Sequence, residues 1–318
     1  MLRIHFLNVG HGDCVIIEFI DNNRVAIVDI NRSSEMDDNS IEELVEHSLT
    51  QVESSYSSLF KMGVYRTSEL LKKAGYEIEL QDPLTYLTEK SISNIFRFIS
   101  THPHMDHLSG LKAMFDKMKP ANIWILENNF GQDLSKLSES QKLDWQRYKK
   151  FRDTGERKID NVTIVRPAEG DSNDFWQQDG ITILAPNSEL LKLAKDKDNR
   201  NIMSYVILIT HGVHKIVLGG DAEEDTWDYL YENYQEELKD VTILKASHHG
   251  RDSGYHQKSV KLMNPSYVVV SVGKKPSSDA SNKYKQYCEN VWSTRWKGNI
   301  TFELKSNGEG TYHFQYDR

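Results

Sequence analysis

The run Ile95-Phe96-Arg97-Phe98-Ile99 has the β-branched and aromatic content of a strand. It feeds straight into Thr101-His102-Pro103-His104-Met105-Asp106-His107. Three histidines and an aspartate lie between His102 and His107, and imidazole and carboxylate are the ligands that borderline divalent metals prefer. Leu108-Ser109-Gly110-Leu111 then leads into a helical pattern. The ligand-rich run therefore occupies a turn at the C-terminal end of a strand, where α/β folds place their sites. His102 and His104, two positions apart, can close on one ion. The adjacent Asp106 and His107 can close on a second. A two-ion site of this kind needs ligands from distant parts of the chain, so other strands must end at the same place.

Two such strands are legible. Ile216-Val217-Leu218-Gly219-Gly220-Asp221 is an apolar run ending in two glycines and an aspartate. Val241-Thr242-Ile243-Leu244-Lys245-Ala246-Ser247-His248-His249-Gly250 is another, ending in a histidine pair. A lone aspartate after a strand is usually a helix cap or a turn residue. Three strand tips that all carry ligand chemistry point instead to a shared metal centre.

The order HxHxDH, then a late strand ending in Asp, then HHG resembles the metallo-β-lactamase superfamily. Finer features resemble the branch formed by the metallo-β-lactamase domain of the DNA-uptake protein ComEC and its stand-alone relatives. That branch opens with a strand followed by VGQGD; Val9-Gly10-His11-Gly12-Asp13 stands in that place. Asp198-Asn199-Arg200-Asn201-Ile202-Met203-Ser204 matches its Asn-rich stretch, and Gly220-Asp221-Ala222-Glu223 its GDAE. The resemblance implies an α/β fold, the four-layer αββα sandwich, and hydrolysis by a metal-bound hydroxide. By position, His102 and His104 would bind the first ion, Asp106, His107 and His248 the second, and Asp221 would bridge them. Asp29, ending the strand Val25 to Val28, matches an early structural aspartate near the metals.

The chain departs from this pattern at several points. No histidine stands convincingly between HxHxDH and Asp221 to complete the first site: His211 and His214 flank a predicted hairpin turn at Gly212, and Ser204 or Asp198 occupies the neighbourhood. Two divalent ions are expected, the first weakly held. Zinc and manganese are both candidates, because oxygen-rich sites suit harder ions. The Gly-Gly that often follows the early aspartate is replaced by Ile30-Asn31-Arg32-Ser33, and Gln of the opening motif by His11.

The chain has 318 residues, 38% of them hydrophobic and 27% charged, as in an ordinary globular protein. No apolar run approaches the ~20 residues that span a bilayer, and the N-terminus enters a strand with no signal-peptide pattern. Cys14 and Cys288 are the only cysteines, so no disulfide framework is expected; a cytoplasmic location fits. The net charge of -8 argues against a globally basic nucleic-acid binder. From Lys245 onward, however, 12 Lys and Arg face 6 Asp and Glu. A basic C-terminal third beside the histidine pair can steer a polyanion to the metals, or be a solvated face.

Strands are expected near 3–9, 14–20 and 24–29, then at 123–126, 162–165 and 181–184, on both sides of Gly212, and at 267–272. A final hairpin covers 299–304 and 311–315. Helices are expected over 112–119, 138–152 and 223–238. Residues 31–90 carry helical periodicity in Ile41, Leu44, Val45, Leu49, Leu70 and Leu71, and read as an insertion beside the site's mouth. It is either a specificity or regulatory-partner surface or a decorative insertion, since long insertions cost little entropy. One domain, 1–318, with this helical insertion is the simplest organisation.

A phosphodiester most needs such a centre, because its transition state crowds negative charge onto oxygens. Asp106 counts as a catalytic residue as well as a ligand. His249 is a candidate to protonate a leaving group, or a hydrogen-bond partner of a ligand. His11, Arg251, Lys274 and Lys275 are candidate substrate contacts; Ser204 and Asp29 are supports of the ligands. Trp292 and Trp296, interleaved with Arg295 and Lys297, can stack bases or simply pack. A nuclease acting on DNA, with no membrane partner, is the leading reading. A small-molecule hydrolase of a phosphoester, lactone or cyclic nucleotide, and a partner-binding protein with a degenerate site, are the alternatives.

Overall fold

The computed structural model describes residues 1–33, 80–273 and 280–316. Its strands, in chain order, are β1 (Leu2–Phe6), β2 (Val15–Phe19), β3 (Arg24–Val28), β4 (Ile95–Ile99), β5 (Asn122–Trp124), β6 (Lys158–Ile159), β7 (Val162–Val165), β8 (Ile181–Ala185), β9 (Val206–His211), β10 (His214–Leu218), β11 (Ile243–Lys245), β12 (Tyr267–Val270), β13 (Asn290–Ser293), β14 (Ile300–Leu304) and β15 (Gly310–Phe314). They form two mixed sheets. One has the order β15-β14-β1-β2-β3-β4-β5-β7-β6 and the other β13-β12-β11-β10-β9-β8. The parallel pairs β3–β4–β5 and β10–β11–β12 run side by side in their respective sheets, so their C-terminal tips gather at one edge.

Alternation along the strands explains the layers. Val15, Ile17, Ala26, Val28, Ile99 and Trp124 point into a core shared with the second sheet. Their neighbours Ile16, Ile27, Phe98 and Ile123 point the other way and meet helices. Period-two patterning thus buries both faces of the first sheet. Its outer face is covered by α1 (Pro83–Glu89), α2 (Leu111–Lys117) and α3 (Glu139–Arg152), through Leu84, Leu87, Leu111, Met114, Trp145 and Phe151. The second sheet is covered by α4 (Ser188–Asp196), α5 (Glu224–Asn233) and α6 (Gln257–Met263), through Leu190, Trp227, Leu230, Val260 and Met263. This is the expected αββα sandwich.

Local chemistry sets the helix ends. Asp82 accepts from the Leu84 and Thr85 amides and Pro83 starts α1; Ser138 and Gln141 make a reciprocal capping box for α3. The helix expected over 223–238 is broken: α5 stops at Asn233 and a separate turn covers Gln235–Leu238, because Tyr234 leaves helical geometry at φ -131, ψ 37. Strands β6 and β13 escaped the sequence reading. β6 has two residues, and β13 ends at once in a helical turn, Thr294–Lys297. Of the inserted segment, residues 34–79 lie outside the described residues, as do Lys274 and Lys275; residues 83–89 form α1. Among the described residues, no helix is long and apolar enough to cross a membrane.

Candidate metal centre

Four strand tips and one turn converge. His102, His104, Asp106 and His107 follow β4, Asp29 follows β3, Asp221 follows β10, and His248 and His249 follow β11. The turn between β1 and β2 adds His11 and Asp13. Backbone hydrogen bonds stitch these segments together: Asp29 N donates to Ile99 O (2.9 Å), Asp13 N to Asp106 O (3.1 Å), Ile30 N to His107 O (3.1 Å) and His248 N to Gly220 O (3.2 Å). Glycine is required at two of these joints. A Cβ on Gly12 would stand 2.4 Å from Asp106 O, and Gly220, at φ +51, is wedged against Thr101 and Ser204.

Three sets of side chains each bring ligand atoms within 4.8 Å of one another: His102 with His104 and Asp221, Asp13 with His107, Asp221 and His249, and His11 with Asp106 and His249. Asp221 is common to the first two. It is 1% exposed, and its Oδ2 lies 3.6 Å from His102 Nε2, 3.3 Å from His107 Nε2 and 3.6 Å from His249 Nε2. Its Oδ1 is buried with no hydrogen-bond partner.

The far nitrogens of these rings fix their tautomers. His249 Nδ1 lies 3.0 Å from the Ser271 carbonyl, which can only accept, so Nδ1 carries the proton. His107 Nδ1 donates to Asp29 Oδ2 at 2.8 Å. Asp29 also accepts from the Thr101 amide (2.8 Å) and hydroxyl (2.6 Å). The Thr101 hydroxyl, having given its proton to Asp29, accepts from His102 Nδ1 at 3.1 Å. In all three rings the Nδ1–H is used elsewhere and Nε2 is turned on Asp221. Such carboxylate and carbonyl partners are what orient metal-binding imidazoles. His102 Nε2 also lies 2.9 Å from His104 Nδ1.

Lone pairs facing a carboxylate demand a positive charge between them. Burial lowers the basicity of His102 well below the ordinary imidazole value and that of His104 to about 4, which keeps both free to coordinate. Burial opposes charge on His107 and His249 too, yet Asp221 with its neighbouring carboxylates holds His107 well above the usual range and His249 above it. Burial would raise Asp106 and Asp221, but His107, joined by His249, holds both carboxylates far below their ordinary range. The donor set therefore fits divalent cations, with protons on His107 and His249 meeting the same demand without them.

Of the histidine pair, His249 is fully buried and hydrogen-bonds Asp106 at 3.2 Å. His248 sits at the edge of the cluster and is 16% exposed. Its Nδ1 meets Ser253 Oγ (2.7 Å) and Glu223 (3.0 Å), and its Nε2 stands 4.0 Å from Asp221. The cause is backbone: His248 and His249 both adopt left-handed geometry, φ 50 and 54, so neighbouring side chains diverge. His211 and His214 pair with each other across the β9–β10 hairpin. Ser204 lies under the centre, accepting from the Asp221 amide (3.2 Å). His11 and Arg251 meet at the mouth, 3.3 Å apart. Burial lowers His11 to about 4. Trp292 packs among Tyr267, Phe302, Tyr312 and Phe314.

Three participants escaped the sequence reading: Asp13, Lys245 and Glu223. Burial would raise Glu223, but hydrogen bonds from His248, Asn199 and Asn201 bring it down to about 2. The available signal was a charge inside or beside an apolar run. Beside the centre a cleft of about 880 Å³ opens, lined by His11, Asp106, Arg32, Asp82, Lys112 and Asp116 among others.

Solved structures of similar overall shape include the metallo hydrolase Igni18 of the archaeon Ignicoccus hospitalis (11% identity, TM-score 0.46, covering 99% of this chain and 100% of that one). Others are the metallo-β-lactamase fold protein YhfI of Bacillus subtilis (10%, TM-score 0.44, 98% and 100%) and unliganded yeast PDE1 (14%, TM-score 0.44, 96% and 100%). No family model and no curated protein sequence matches the chain.

Proposed function

We propose that this protein is a metal-dependent hydrolase of phosphodiesters, with DNA as the substrate. The observation that carries the reading is the set of three Nε2 atoms, each with its Nδ1 occupied elsewhere, turned on the single carboxylate of Asp221. His102, His104, Asp106, His107, Asp221 and His249 would hold the cations. Divalent ions held there would lower the pKa of water toward neutrality and would neutralise charge developing on ester oxygens.

The chain's own residues supply the rest. Asp106, kept ionised and partly exposed at the mouth, orients an attacking water. His248, held by Glu223 and Ser253, presents Nε2 at the rim to the leaving oxygen. Arg251 and His11 form the edge where a phosphate enters. DNA is favoured by the motif order of the ComEC-like branch and by the basic C-terminal third.

The test is incubation of the purified protein with circular single- and double-stranded DNA and with a small chromogenic phosphodiester, under manganese, zinc or magnesium. An Asp106→Ala/His107→Ala variant and chelation serve as controls. Cutting of circles by the wild type alone supports the reading. Hydrolysis of the small ester without DNA cutting replaces DNA with a small substrate. Inertness towards all three with every metal removes the hydrolase.

A further inference from the structure

Beneath the cluster lies a buried ammonium that the ligand set does not use. Lys245 ends β11 and is 2% exposed, in a strand whose other residues are Ile243 and Leu244. Its Nζ stands 2.5 Å from Asp13 Oδ2, 3.4 Å from the Gly220 carbonyl and 3.4 Å from the Ala246 carbonyl. The ammonium pairs by charge with Asp13 and donates to the two carbonyls, and these three partners belong to three different turns. Asp13 ends the turn between β1 and β2, Gly220 immediately precedes Asp221, and Ala246 enters the turn that carries His248 and His249.

We propose that Lys245 is a positioning residue: its ammonium ties these three turns together and so sets the spacing of Asp221 from His249. The proposal rests on the reading of the cluster as a cation centre.

The histidine turn needs an outside tie: His248 and His249 are at φ 50 and 54, conformations that a residue with a side chain holds only when its surroundings over-determine it. The Gly220 carbonyl already accepts from His248 N at 3.2 Å, so the ammonium reinforces the junction between the Asp221 and histidine turns. Asp13 works from the other side. Its carboxylate, 1% exposed, lies 3.7 Å from His107 Nδ1 and 3.8 Å from His249 Nδ1, under both rings. With Lys245 holding its Oδ2, Asp13 cannot drift and carry the rings with it. A charge pair that serves stability alone can be exchanged for a neutral pair of similar shape without loss, whereas supports of metal ligands cannot.

The experiment is a Co(II) titration, read by calorimetry and by visible absorption, on the wild type, Asp13→Asn and Asp13→Asn/Lys245→Met. Asparagine and methionine keep the two shapes and remove both charges together. Asp13→Asn leaves the lysine on both carbonyls but removes the carboxylate under both rings, so it should weaken Co(II) binding by about threefold, clearly less than the double variant, with bands little changed. The double variant should unfold cooperatively, yet bind Co(II) about tenfold or more weakly and with shifted bands.

A double variant with wild-type affinity and spectrum overturns the proposal. So does a full loss from Asp13→Asn alone, which assigns the effect to the carboxylate. A double variant that does not fold while Asp13→Asn does also overturns it, since the lysine then serves the framework. A wild-type chain that takes up no Co(II) removes the cation reading itself, and is seen before any substitution is made.

Discussion

His249 Nε2 lies 3.2 Å from Asp106 Oδ2, across 143 residues of sequence. The contact joins the tip of β4 to the tip of β11 and therefore one sheet to the other. It follows that each partner reports on the other. Removal of either should open the mouth of the same cluster.

Asp221 is the residue whose loss should cost most. Three imidazole nitrogens lie within 3.6 Å of its Oδ2, and a fourth, His248 Nε2, at 4.0 Å. Asp221→Asn keeps the shape and removes the charge, so bound metal should fall at least about tenfold in affinity, measured by calorimetry against the wild type. Unchanged metal content would assign the cluster to structure.

The histidine pair should divide its labour. His249→Ala should release metal. His248→Gln should retain wild-type metal content while kcat falls roughly 10²-fold, because His248 faces the rim and is tied by Glu223 and Ser253. Metal analysis of both proteins beside their turnover rates separates the two.

Metal should stabilise the fold. Asp13, Asp29, Asp106 and Asp221 crowd one region, all but Asp106 fully buried. Cation at one hundred times its Kd should raise unfolding free energy by about 2.7 kcal/mol per site. Thermal unfolding with and without chelator is the measurement. An unchanged Tm contradicts the expectation.

Acid should weaken the far side of the first sheet through Glu18. Burial would raise its pKa, but hydrogen bonds from His5 (3.0 Å) and Arg3 (2.9 Å) outweigh it and hold the carboxyl below its ordinary value of 4.5. A folded pKa below the unfolded one means stability that is present above about pH 4.5 and lost as pH falls through the folded value. Urea midpoints of wild type and Glu18→Gln should therefore differ at pH 7 and converge on acidification below 4.5.

Asp179 should matter more than its surface neighbours. It pairs at 2.7 Å with Arg97, which is 0% exposed in β4, and at 2.7 Å with Arg24. Asp179→Ala leaves the Arg97 guanidinium buried and uncompensated, so a loss of about 3–5 kcal/mol is expected in urea unfolding. A loss under about 1 kcal/mol would mean that water reaches Arg97.

The layers and the convergence of the imidazole- and carboxylate-bearing tips were legible because both follow from short-range patterns. Apolar runs marked the strands, and imidazole or carboxylate residues just beyond them marked the tips. What escaped is what depends on backbone direction or on remote pairing. Motif order pointed to His248, and two successive left-handed residues bring His249 inward as well, which alternation along a strand cannot foresee. Asp13 was visible as a turn residue, and only its meeting with Lys245, 232 positions away, gives it a place under the cluster. Arg97 sat in plain view within an apolar strand, its partner Asp179 hidden in a distant turn.

The run His248-His249-Gly250 keeps three consecutive residues at positive φ, two of them non-glycine. A left-handed residue with a Cβ is disfavoured by roughly 1–2 kcal/mol. Glycine at position 248 would relieve part of that strain and make the chain harder to unfold while stripping the rim of its imidazole. Selection for thermal robustness alone would thus erode this turn first, and the durability of such variants would be a poor guide to whether they still work.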